Sequence, residues 1–66
     1  MNKSLLQAKM LERNVNVEDV CRACSFSKTA FYRKLNGKSE FLHSEITAIK
    51  RLLNLTLEET GLIFNL

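Results

Sequence analysis

The chain has 66 residues and a net charge of +3, from ten Lys or Arg against seven Asp or Glu. That length gives one domain, residues 1–66, and a hydrophobic share of 45% excludes an intrinsically disordered chain. The absence of proline and the presence of only two glycines, Gly37 and Gly61, argue against a turn-rich β fold, and no apolar stretch reaches the ~20 residues of a membrane span.

Helix punctuation recurs along the chain. The N-terminal "MNKSLLQAKMLERN" is too polar and too periodic for a signal peptide, which predicts an intracellular protein. Within it, Ser4-x-x-Gln7 reads as a capping box, opening a first helix with Leu6 and Met10 inward and Asn14 at its end. Asn16 caps a second helix, "VEDVCRAC", with Glu18 and Asp19 placed favourably in its first turn. Val17, Val20, Cys21 and Cys24 share one side of it. "SFS" breaks the pattern, and Ser27 caps a third helix that stops at Asn36-Gly37, where glycine can take a left-handed conformation. "KSEFLH" is a loop. A fourth helix fits "SEITAIKRLLN", with Ile46, Ile49 and Leu53 in register, and Thr56-x-x-Glu59 boxes the start of a short fifth helix. Five short helices with short connections make an all-α, non-bundle domain.

The third helix carries the charge. Residues 27 to 39 hold Lys28, Arg33, Lys34 and Lys38 and no acid. On a helical wheel Phe31 and Leu35 face inward, Thr29, Arg33 and Asn36 lie roughly opposite, and Tyr32 and Lys34 flank them. Two short helices joined by so tight a turn, the second basic on its outer side, describe a helix-turn-helix. In that motif the first turn of the second helix meets base edges in the major groove and its far end meets phosphates.

"VEDVCRACSFSKTAFYRKLNGKSEF" resembles the helix-turn-helix of the phage repressor and Cro-like (Xre-type) family, and "LHSEITAIKRLLNLTLEE" is similar to that family's fourth helix and the start of its fifth. The resemblance extends over nearly the whole chain and implies a compact five-helix, repressor-like fold that binds operator DNA, usually as a dimer. "TAFYRKLNGKSEF" looks most like small regulators of phages and mobile elements in Gram-positive bacteria, which implies a cytoplasmic, nucleoid-associated protein. Carried over by position, Lys28, Thr29, Tyr32 and Arg33 are expected to face base edges, and Asn36, Lys38, Ser39 and Lys34 to meet the DNA backbone or groove edge. Two positions depart from the family pattern. Ser25 stands where the turn usually has glycine, and Val17 stands where a glutamine often supports a first-turn base contact. Direct readout is therefore expected to lean on the third helix.

The remaining residues point to no chemistry. Cys21-x-x-Cys24 with His43 falls short of a four-ligand zinc set, and a redox motif would need a preceding strand, so both thiols are expected in the core. His43 has no partners for catalysis. Phe31, Phe41 and Phe64 are core candidates. "GLIFNL" is too apolar for all of it to face one small core, so Leu62, Ile63, Phe64 and Leu66 form a candidate dimer interface, the alternative being a tail that folds back onto the first helix or frays. The expected partner is double-stranded operator DNA, near-palindromic if the protein dimerises, with no membrane, small-molecule ligand or cofactor. No enzyme site is expected, because nucleophile, paired acids, metal set and phosphate loop are all missing. The rival expectation is a protein-interaction module of the same fold, an antirepressor or antitoxin-like adaptor.

Overall fold

Five helices and no strand make up the computed structural model, which describes residues 1–66: α1 (Lys3–Glu12), α2 (Val17–Cys24), α3 (Lys28–Leu35), α4 (His43–Leu53) and α5 (Leu57–Phe64). The local sequence explains where they start. An Asn16 side-chain oxygen accepts from the Asp19 N–H at 2.8 Å while the Asp19 carboxylate accepts from the Asn16 N–H at 3.0 Å. Thr56 and Glu59 exchange the same pair of bonds at 3.0 and 2.9 Å. Ser27 Oγ accepts from the Ala30 N–H. Each cap satisfies donors that the first helical turn leaves without partners.

The start of α1 differs from the Ser4-x-x-Gln7 reading. Asn2 is the cap, its side chain accepting from the Leu5 N–H at 3.0 Å, and Ser4 lies inside the helix. Asparagine caps as well as serine, and the Asn2 N–H also donates to the Ile63 carbonyl at 2.6 Å, which anchors the earlier start to α5. His43, read as loop, is the first residue of α4.

Helix ends use left-handed residues. Asn14, Asn54 and Asn65 all have positive φ, as does Gly37 at 80°. After α3, the Lys38 N–H bonds the Arg33 carbonyl and the Gly37 N–H bonds the Lys34 carbonyl, the paired bonds of a Schellman stop.

Ten buried residues form the core: Leu6 and Met10 of α1, Val20 of α2, Phe31 and Leu35 of α3, Ile49 and Leu53 of α4, Leu55, and Ile63 and Phe64 of α5. Every helix contributes, so none is stable alone; α2 packs chiefly on α4, and α1 on α5. The radius of gyration is 10.5 Å, against about 10.8 Å for a compact chain of this length. Ile63 and Phe64 are thereby corrected as interface residues: they are fully and nearly fully buried within this chain, with Phe64 edge-on to Phe41 at 5.4 Å. Leu62 and Leu66 remain 59% and 77% exposed.

Candidate nucleic-acid interface

The turn between α2 and α3 is three residues, Ser25 to Ser27. Ser25 adopts the left-handed conformation, φ 59° and ψ 41°, and its N–H bonds the Cys21 carbonyl. The chain reverses there on a serine, without glycine's conformational freedom. Phe26 then turns inward, 6.2 Å from Phe31 and 6.4 Å from Phe41 between ring centroids. The aromatic wedge fixes α3 from beneath, and Ser27 starts it at once.

With Phe31 and Leu35 buried, the outer side of α3 is set by periodicity. Thr29, Arg33 and Asn36 are exposed, as the wheel requires. Tyr32 is 46% exposed, with its ring edge-on to Phe31 at 5.3 Å. Packing holds the tyrosine upright while its hydroxyl stays free for a polar partner. Lys38 and Ser39 follow the Schellman stop and are exposed. Neither Arg33 nor Lys38 forms an ion pair with any acid of the chain.

Lys34 departs from expectation. Its ammonium turns inward, pairs with Glu45 at 3.0 Å and donates to the Glu40 carbonyl at 3.0 Å. It lies 5.8 Å from the Phe26 ring centroid and 6.0 Å from that of Phe41. The two side chains of this pair are only 12% and 11% exposed. Glu45 also accepts from the Leu42 N–H at 2.9 Å, supplying the start of α4, where Leu42 offers no capping side chain. Lys34 is thus committed to joining α3, the following loop and α4, and is not free for DNA. On a wheel it stands at the flank, and the flank that faces α4 is buried.

The acid-free appearance of the stretch also needs correction. Glu18, from the first turn of α2, pairs with Lys28 across the two helices. That contact holds Glu18 below the usual carboxylate range and raises Lys28. The fold adds a cation too. Lys3 donates to the Asn36 side-chain oxygen at 2.9 Å, across 33 residues of sequence. Lys3 is exposed and has no acid partner, so the far end of α3 is ringed by Lys3, Arg33 and Lys38. No local sequence signal marks Lys3, because only tertiary packing brings it there.

Cys21 and Cys24 pack against the core. Burial pushes both thiols up, Cys24 to about 11, and Cys24 Sγ lies 3.7 Å from the Glu45 carbonyl. A raised thiol pKa disfavours the thiolate, which is the reactive form. No three His, Cys, Asp or Glu side chains converge as a metal set. No helix is long and apolar enough to cross a membrane. The chain matches no protein-family model, no curated protein and no solved structure.

Proposed function

We propose that this protein is a sequence-specific DNA-binding regulator of the repressor or Cro-like type, with α3 lying in the major groove of operator DNA. One observation carries the reading. A short helix, set by a three-residue turn behind another, turns its apolar side into the core and presents Thr29, Tyr32, Arg33 and Asn36 outward, with unpaired Arg33, Lys38 and Lys3 at its far end. Arg33 is suited to a bidentate guanine contact, worth about 1–3 kcal/mol against a wrong base, and Thr29 to a hydroxyl or methyl contact. Lys38, Ser39 and Lys3 suit phosphates, which fix register and carry no sequence information. Regulation would follow from occupying an operator.

The test is a titration of backbone amide NMR signals with a generic DNA duplex at low and moderate salt. Shifts concentrated in residues 27–39 and at Lys3, fading as salt rises, are the expected result, because each phosphate contact releases counterions. No shift there at low salt would overturn the reading. A protein-interaction module is the second reading; the exposure of Leu62 and Leu66 favours it, and its binding would barely respond to salt.

A further inference from the structure

Lys28 is the first residue of α3, the position from which a groove-binding helix addresses bases, and it does not stand alone. The Glu18 carboxylate reaches it from α2 as a hydrogen-bonded ion pair, with the two side chains 59% and 51% exposed. An exposed pair of this kind adds little to stability. It does hold a donor and an acceptor side by side at the leading edge of the proposed recognition helix. It also places a carboxylate on a surface that must approach phosphates, which costs affinity for DNA in general.

From this geometry we infer that Glu18 and Lys28 read one G·C base pair as a unit. In the major groove guanine presents N7 and O6 as acceptors and cytosine presents an N4 amino donor. Guanine O6 and cytosine N4 are themselves hydrogen-bonded, about 2.9 Å apart, so an ammonium and a carboxylate in contact match their spacing. Lys28 donates to O6, which only guanine offers, and Glu18 accepts from the second N4 hydrogen. The two side chains need not separate to do so, and the ordering cost of two long side chains is already partly met in the free protein. The alternatives are rejected by chemistry. An adenine in the purine position turns its N6 donor toward the ammonium, and its thymine turns the O4 acceptor toward the carboxylate. A C·G pair presents donor and acceptor in the wrong order. Val17, which cannot hydrogen-bond, leaves the neighbouring Glu18 as the polar side chain that α2 brings to Lys28.

This inference rests on the DNA-binding reading, and one experiment separates the two. The full chain is used to select bound duplexes from a random-sequence pool. Affinity is then measured on the selected site and on the same site with single base pairs inverted. The expected result is one position per half-site where inverting a G·C pair weakens wild-type binding about 10- to 100-fold. Glu18→Ala should shrink that penalty to within about threefold. It should also strengthen binding to unrelated duplexes and steepen the salt slope by about one, since Lys28 becomes free to meet a phosphate. The charge-swapped double variant Glu18→Lys/Lys28→Glu should prefer the inverted pair. A Glu18→Ala variant that selects the same sequences with the same penalties overturns the inference, as does a swapped variant that keeps the original preference. Failure of the wild-type chain to enrich any sequence overturns the DNA-binding reading itself.

Discussion

Two side chains decide how α3 sits, and each can be tested alone. Ser25 is the less obvious. Three of the four non-glycine residues with positive φ are asparagines, which tolerate that conformation; Ser25, at φ 59°, is the fourth. A serine there has Cβ too close to its carbonyl, and glycine would not. Ser25→Gly should therefore raise stability by about 0.5–1 kcal/mol, near 4 °C in melting temperature. Thermal unfolding followed by circular dichroism checks this; a lower melting temperature would mean that the unfolded-state entropy glycine adds outweighs the relieved strain. Lys34 is the second. Lys34→Met keeps the apolar stem between Phe26 and Phe41 but leaves the Glu45 charge nearly buried without its partner, which should cost about 3 kcal/mol. That is much of what holds a 66-residue domain together. Adding Glu45→Gln removes the stranded charge and keeps an acceptor for the Leu42 N–H, so the double variant should recover most of the loss. Denaturant unfolding of the two variants decides it, and equal stability of single and double would refute the coupling.

At the scale of elements, what the sequence revealed depended on range. The caps at Asn16, Ser27 and Thr56 each accept from an N–H three positions ahead, and Asp19 and Glu59 accept in return from the N–H three positions back. Such signals are complete within one turn, which is why α2, α3 and α5 were legible. At α1 the Ser4-x-x-Gln7 reading missed the true cap, Asn2, whose backbone N–H is anchored to Ile63 near the other end of the chain, a contact no local pattern marks. The site was legible only on its outward side. Thr29, Arg33 and Asn36 follow from periodicity, whereas Glu18 against Lys28, Lys34 against Glu45 and Lys3 against Asn36 need the helices assembled. The same holds for the seam between α1 and α5, where Lys9 pairs with Glu59. The hydrogen bond from Lys9, with that from the Thr56 N–H, holds the Glu59 carboxyl at about 2 rather than near 4.5. A lowered carboxyl pKa stabilises the fold above its unfolded value, and the contribution is lost as pH falls from about 4.5 through about 2. Lys9 bounds the other side: its pKa is raised, so its contribution is full below 10.5 and lost at higher pH. Glu59→Gln keeps the acceptor for the Thr56 N–H and removes the charge. It should melt below wild type at pH 7, and the two melting temperatures should converge as pH approaches 2. A constant difference across that range would show that the charge does not matter.

The whole molecule measures 27 × 22 × 20 Å, less than the ~34 Å of one DNA turn between successive major-groove faces. On the proposed DNA-binding function, one copy would span one half-site and a two-half-site operator would take two. Exposed apolar surface offers a means of pairing: with Ile63 and Phe64 in the core, Leu62 and Leu66 are the apolar residues of the C-terminal segment left facing solvent. A two-fold pair through this end, resting on the proposed DNA-binding function, would place two α3 helices on one side of the duplex and favour near-palindromic sites. Leu62→Glu tests that arrangement without touching α3. Leu62 is exposed, so stability should change by no more than about 0.5 kcal/mol. Sedimentation equilibrium should show wild type associating as its concentration rises and the variant remaining monomeric. On a palindromic duplex wild type should bind as two cooperating copies. The variant should fill the half-sites independently, each with the salt dependence of one protomer. Within each protomer, Lys38→Ala should lower the salt slope by about one and weaken all sequences alike, whereas Arg33→Ala should relax base preference. If Leu62→Glu leaves cooperative binding intact, the two copies meet through another surface or through the DNA alone.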